Sequence, residues 1–484
     1  MNKKMTIYAT VFFSMVTIVL GFLITILKTK TLTTTEIGIL ALFNSFASIG
    51  NIIGLFGFSQ SIIKNVPFLS KSQGHQSGFI IISFSVVTVL LLLLTLTLLI
   101  LKPFITSFFD SQMFNDYYHY IPIIITITSL SLLADSVFKV YEKPLISQII
   151  TNIFKPIGNI FILLLIFILD INFKQYLNYY LVIITTSLFF QLFLIIKFVS
   201  FKKNDYGFLD SKFIKSVILF NSFMLFSGIT HLLNNQIDTL MIGSMLSTSD
   251  VGIYSITIII GNLVGLTSQG LTRFTHTRVS KLIEKNDVKT LEIEYKRIGD
   301  FQFLVAILLF SGILLYAKTF LSLFGDAYSR ASLVAVIIGF SYVVDGITSF
   351  CGGIIGYSRL FKFDIIMESF LIIGNITLNY LLIPIMGIFG AAIATSITLI
   401  AYNIIKVVIV KKYFDILPFS FNNLKVLLSA TLTLLFSLAF NQLIDFSNIL
   451  VNLAVYSTIF IIIYASILYV LRYRNYYINI ERGN

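Results

Sequence analysis

Lys155 stands inside an apolar run, eleven residues after Pro144 and directly before Pro156. A cation in such a run is costly unless it faces a cavity or a partner. Helical rise would place it about 16 Å deep in a span that starts at Pro144. Pro156 frees a backbone carbonyl beside it and favours a kink. The chemistry on offer is attraction for a phosphate, a pyrophosphate or an acidic sugar; the alternative is a structural ion pair with Asp135. Lys64 and Arg273 close two other apolar runs at equivalent depth, and Lys28 and Lys30 close the first. An anion entering from one side would meet Lys64 and Arg273 and leave past Lys28, unless these cations only bind anionic lipid. Asp345, Glu368 and Asp135 put carboxylates inside further apolar runs. There they would exchange protons, bind sodium, or pair with a buried cation or a helix end. His231, Asn234, Asn235, Gln236 and Asp238 cluster in one more run, suited to sugar hydroxyls or to capping a helix end.

Residues for covalent chemistry are missing. The sequence has no Walker A motif and no HExxH, and His75, His119, His231 and His276 are scattered. Cys351 is the only cysteine, which excludes an intrachain disulfide and a thiolate metal cluster. No catalytic residue, metal or cofactor is expected, and an enzyme is not.

The elements that must position these groups are membrane helices. The 484 residues are 57% hydrophobic and 12% charged, with mean hydropathy +0.93. A soluble domain carries about 25% charged residues, so an ordinary soluble enzyme and a disordered chain are both excluded. A bilayer core needs roughly 20 apolar residues per helix. Fourteen spans are expected, near 5–27, 37–62, 78–101, 117–138, 145–169, 177–200, 216–238, 252–272, 301–322, 331–357, 364–385, 388–410, 424–444 and 449–471. Only Met386 and Gly387 separate two of them, and Pro384 would end the earlier one. The stretch 273–300 reads as a solvated amphipathic helix. Met1-Asn2-Lys3-Lys4 imitates the start of a signal peptide, but the apolar run continues to Leu27 and is read as a retained span.

With the N-terminus inside, 27 of the 34 Lys and Arg residues, Lys406 among them, fall on inner loops, 6 on outer loops and Lys155 within a span. That asymmetry predicts both termini in the cytoplasm. The net charge of +12 then reflects basic loops beside anionic lipid rather than nucleic acid.

The chain also repeats itself. Thr35-Glu36-Ile37-Gly38-Ile39 resembles Ser249-Asp250-Val251-Gly252-Ile253, and Gly50-Asn51-Ile52-Ile53-Gly54-Leu55 resembles Gly261-Asn262-Leu263-Val264-Gly265-Leu266. Six spans lie between the copies, so the repeat is parallel. It predicts six-helix bundles over 1–215 and 216–412, and an added helix pair with a tail over 413–484. Glu36 and Asp250 would cap helix N-termini, and Gly38 and Gly252 would allow close helix contact.

At these motifs the chain resembles the Wzx-type oligosaccharide flippases of the MOP superfamily, its polysaccharide transporter branch. Asp238 through Asp250-Val251-Gly252-Ile253-Tyr254, Leu323-Phe324-Gly325-Asp326-Ala327-Tyr328, and the stretch from Asn375 to Thr395, NITLNYLLIPIMGIFGAAIAT, carry the resemblance. It implies an all-α polytopic membrane protein with two pseudo-symmetric, MATE-like bundles. It further implies alternating-access flipping of undecaprenyl-diphosphate-linked oligosaccharide across the bacterial cytoplasmic membrane, for O-antigen, capsule or another surface polysaccharide. Membrane lipids and other glycan-assembly proteins are the partners it implies. The rivals are a cation-coupled multidrug exporter of the same fold, a membrane enzyme of glycan assembly and an assembly scaffold.

Overall fold

Lipid supplies no hydrogen bonds to a backbone, so each apolar run must satisfy its own amides, and helices do this. The computed structural model describes residues 3–69, 73–169, 171–199, 205–266, 278–443 and 449–470, and among these it contains no strand. Ten described helices are long and apolar enough to cross a bilayer, or eleven if one bent pair counts as a span. The count of fourteen therefore remains a sequence expectation. Contacts divide the chain into two units, Met1–Gly252 and Ile253–Asn484.

The first unit holds α1 (Lys3–Thr31), α2 (Thr34–Leu55), α3 (Phe58–Phe68), α4 (Gln73–Ile100), α5 (Tyr120–Val140), α6 (Pro144–Leu169), α7 (Phe173–Phe198) and α8 (Ser211–Met245). It also includes the first turn of α9 (Thr248–Asn262). Helix α5 is central and packs on α2, α3, α4 and α7, while α1 lies along α6. The span expected at 37–62 is two helices, because Phe56 (φ 43°) and Gly57 (φ 72°) take left-handed conformations between α2 and α3. A Cβ at Gly57 would press on the backbone of Asn221 in α8.

The repeated motifs have the same local chemistry. Thr33 and Glu36 form a reciprocal capping box at the start of α2. At the start of α9 the Asp250 amide donates to Ser247 Oγ (3.1 Å), and that hydroxyl donates to the Asp250 carboxylate (2.6 Å). Both acidic residues sit in first turns, where the helix dipole favours them. The two helix starts also touch. A Cβ on Gly38 would overlap the carbonyl of Thr248, and one on Gly252 would overlap the carbonyl of Thr34. Thr34 Oγ1 and Ser249 Oγ lie 2.7 Å apart in the same contact.

The second unit holds α10 (Val288–Ser322), α11 (Ser332–Thr348), α12 (Phe350–Tyr357), α13 (Phe361–Met386), α14 (Ile388–Phe414), α15 (Phe421–Leu443) and α16 (Ile449–Val470). Helix α11 packs on both α10 and α14, and α13 and α14 form a hairpin about Gly387 (φ 60°). Helices α11 and α12 are one run bent by 51°. Pro384 lies within α13, which continues to Met386, so it does not end the helix by itself.

The stretch 273–300 departs from its solvated reading. Residues 273–277 lie outside the described set, and a short helix over 278–284 ends at Asn286 (φ 51°). Leu291 and Tyr295 are buried with Val279, Cys351 and Ile354, and Asp300 is fully buried. The Asp300 carboxylate accepts from Ser420 Oγ (2.6 Å) and Asn423 Nδ2 (2.8 Å), which fixes the turn leading into α15. A face of charged residues concealed a packing face beneath it.

Candidate functional site

Helix α6 brings Lys155 to its position. A π-helical turn, Ile150–Phe154, interrupts it immediately before Lys155. Such turns arise where the regular backbone ladder fails, and Pro156 removes one N–H from that ladder. Sequence reading placed the disturbance here; its form is a widened turn.

Lys155 Nζ donates to Ser131 Oγ (3.0 Å), and Ser131 Oγ donates to Gln191 Oε1 (2.8 Å). Gln191 Nε2 donates to Asp135 Oδ1 (2.9 Å), which also accepts from Ser147 Oγ (2.5 Å). The expected partnership of Lys155 with Asp135 thus runs through two side chains on α5 and α7. Gln191 is fully buried and Ser131 nearly so, whereas Lys155 and Asp135 are half-buried. An ammonium carries three donors; one goes to Ser131, and the others have no further partner among the described residues. Asp135 accepts two hydrogen bonds and is held rather than free. Sequence reading missed Ser131, Ser147 and Gln191, because single hydroxyls and amides are common in apolar helices.

The other expected cations are not drawn into this relay. Lys64 lies over the Phe220 ring at 3.9 Å. Lys28 occupies the last turn of α1, where it favours the helix dipole. Arg273 lies outside the described residues. His231 and Asn235 fall on α8, with side chains outside the described set. Gln236 from the same cluster accepts from Ser45 Oγ (2.8 Å), which ties α8 to α2.

In the second unit, Asp345 lies one turn before the bend between α11 and α12 and accepts from Asn403 Nδ2 of α14 (3.2 Å). Glu368 lies on α13 one turn after Asp364, and both are within electrostatic reach of Lys406 on α14. Tyr402 donates to Asp364 Oδ1 (3.4 Å), and Lys406 Nζ lies over the Tyr402 ring at 4.2 Å. Lys406, counted from the sequence with the inner-side cations, is only 5% exposed, because its turn of α14 packs inside the bundle. The i, i+4 spacings Asp364–Glu368 and Tyr402–Lys406 were the signal available for this cluster.

Two cavities lie among the described residues. A polar one of ≈550 Å³ is lined by Lys102, Asp110, Gln112 and Asn115. A wholly apolar one of ≈520 Å³ lies among α10, α11, α14 and α15, lined by Phe303, Ile307, Val343, Val407 and Leu427. No group of side chains suited to a metal ion occurs among the described residues.

Ten or more described helices long and apolar enough to cross a bilayer, several of them carrying charged groups, describe a multi-pass membrane protein. Residues 4–266 match the family model described as polysaccharide biosynthesis protein, and residues 224–381 match the one described as MatE. The first match spans more than half of the chain, which belongs to the polysaccharide biosynthesis protein family. The fold is similar to that of the lipid II flippase MurJ in an inward closed conformation, at 17% identity and TM-score 0.74, over 96% of this chain and 99% of that one. It is also similar to an inward-facing multidrug resistance MATE family transporter of the MOP superfamily, at 14% identity and TM-score 0.68, over 82% of this chain and 94% of that one. A MATE structure in a bent conformation aligns at 13% identity and TM-score 0.54, over 83% and 95%. No curated protein sequence matches the chain. The expected all-α, MATE-like fold is thereby established.

Proposed function

We propose that this protein flips a lipid-linked oligosaccharide, joined through a pyrophosphate to a polyprenyl carrier such as undecaprenol, from the inner to the outer leaflet of the bacterial cytoplasmic membrane. The observation that carries the reading is Lys155: a half-buried ammonium in a membrane helix, oriented by Ser131 and keeping donors for an anion. Family membership supports a role in polysaccharide assembly, and the likeness to a lipid II flippase supports a lipid-linked substrate. A diphosphate exchanges its water for such a donor, while sugar hydroxyls need only hydroxyls and amides. The apolar cavity between α10 and α15 suits an isoprenoid segment. The termini are assigned to the cytoplasm from the distribution of basic loops, and Lys64 and Arg273 would then meet the head group on entry. Flipping would proceed by alternating access, driven by an ion gradient or the membrane potential.

Deletion of the gene tests this reading. Loss of surface glycan, with complete repeat units accumulating on the inner leaflet, is the expected outcome. Complementation by Lys155→Met should restore less than a tenth of the wild-type flipping at equal membrane insertion. Full activity of that variant removes Lys155 from the site. The MATE likeness favours one second reading, a cation-coupled drug exporter. Normal glycan and lipid intermediates, with drug sensitivity on deletion, would establish it instead. Missing or incomplete repeat units would point to an assembly enzyme.

A further inference from the structure

The polar cavity of ≈550 Å³ takes no part in the anion path proposed above. It lies in the connection from α4 to α5, which the distribution of basic residues assigns to the outer face. Two short helices, Lys102–Thr106 and Gln112–Tyr117, frame it. Both are firmly mounted. Ser111 Oγ caps the second by accepting from the Phe114 N–H (3.2 Å). Tyr118 Oη donates to the Leu98 carbonyl of α4 (3.0 Å). Phe109, Phe114 and Tyr118 are buried beneath the cavity's frame, and the Phe109 ring packs on those of Phe46 and Phe114, with centroids 5.9 and 4.7 Å apart.

Four polar ends stand on this frame. Lys102, Asp110, Gln112 and Asn115 all line the cavity, and their side chains have no partner among the described residues. Lys102 and Asp110 share the cavity without pairing, although their charges are opposite. The hydroxyls beside them are already committed: Thr106 Oγ1 donates to the Lys102 carbonyl (2.9 Å), and Ser107 Oγ to that of Phe104 (2.7 Å). What remains free is an ammonium that only donates, a carboxylate that only accepts, and two carboxamides that do both. This mixture selects among ligands. An anion would meet Asp110, and a metal ion would meet Lys102. An apolar molecule would strip water from all four ends and return no hydrogen bond. A sugar offers hydroxyls that donate and accept at once, so each end finds a complement. The volume falls among those of small-molecule sites, about 300–1,000 Å³, which is room for about one or two sugar rings.

We propose that this cavity is a saccharide subsite of the outer face, in which Lys102 donates to sugar oxygens, Asp110 accepts from sugar hydroxyls, and Gln112 and Asn115 do both. That the sugar belongs to the flipped lipid-linked glycan rests on the function proposed above; the recognition of a sugar does not.

The test uses the full-length protein in lipid nanodiscs. The probe is the oligosaccharide freed by mild acid from the cell's own lipid-linked repeat units, which carries neither diphosphate nor lipid. Saturation-transfer nuclear magnetic resonance reads the sugar protons that touch the protein, and titration gives the affinity. Wild-type protein should show transfer. The double variant Asp110→Ala, Gln112→Ala should weaken binding about tenfold or more, the loss expected of one charge-assisted hydrogen bond. Ser107→Phe keeps all four polar ends but fills the cavity from an exposed position, and it should abolish binding; it guards against a folding defect in the double variant. Lys174→Ala, an exposed cation outside the cavity, should bind as wild type does. No transfer to the wild-type protein, or unchanged affinity in the double variant and in Ser107→Phe, overturns the proposal. Sugar binding by a protein whose deletion leaves surface glycan and lipid intermediates normal keeps this subsite and removes the proposed function. Flipping by a protein that binds no free sugar does the reverse.

Discussion

The contact between Gly38 and Gly252 allows a prediction worked from geometry. In Gly38→Ala the new methyl would overlap the carbonyl of Thr248, which is backbone and cannot rotate aside. The starts of α2 and α9 must separate. Overfilling a packed contact costs about 1–3 kcal/mol, whereas Ala raises helix propensity by about 1 kcal/mol wherever α2 goes. The propensity gain applies with the contact open or closed, so the overlap alone shifts that equilibrium. About 2 kcal/mol corresponds to roughly a 30-fold loss of the closed contact. Thr34 Oγ1 and Ser249 Oγ, 2.7 Å apart, provide the readout. In a Cys351→Ser background, Thr34→Cys with Ser249→Cys should cross-link under mild oxidation, since the two side-chain tips already meet. Adding Gly38→Ala should slow cross-linking by an order of magnitude or more. Gly252→Ala should act alike, and the two together should be less than additive because they disturb one contact. Gly21→Ala, whose methyl would meet nothing within 4 Å, serves as the control. Unchanged cross-linking in Gly38→Ala would refute the close-contact reasoning.

Two further outcomes are expected. Asp300→Ala strips the acceptor from Ser420 and Asn423, and at about 1.5–3 kcal/mol per hydrogen bond to a charged group it should lower stability by about 3 kcal/mol, read as earlier heat-induced aggregation of the purified protein. The Asp205 carboxyl is held below the usual carboxylate range, first by the Gly207 backbone N–H and then by the charge and hydrogen bond of His75 at 2.8 Å. Because the folded state favours the ionised form, its tethering of the 205–210 segment is present above the ordinary carboxylate value and is lost as pH falls through the lowered one. Hydrogen exchange of the Gly207 amide should therefore be protected at pH 7 and lose protection in acid, and Asp205→Asn should remove most of that pH dependence.

Some of the site was legible because its signals are local. Lys155 beside Pro156 marked the disturbed helix, since a charge in an apolar run and a missing N–H are visible without any partner. The cap at Glu36 followed from residues three positions apart. By contrast, Lys406 was counted with the inner-side cations although it falls within the expected span 388–410, because the sequence does not show what that stretch of the helix packs against. Asp300 was taken as solvated because a charged face hides the buried partners opposite it.

The sequence by itself determined the solvent and the elements. A 57% hydrophobic chain with short basic loops must enter a membrane, and in lipid its backbone must be helical. It also determined the helix caps, each a matter of neighbouring residues. Tertiary structure alone decided which polar groups meet. Ser131 and Gln191 are 60 residues apart, Asp345 and Asn403 are 58, and Gly38 finds Thr248 across most of the first unit. Periodicity tells which face of a helix is polar, but not which helix that face will meet. That choice belongs to packing, where glycines permit approach and buried charges must find partners or protons.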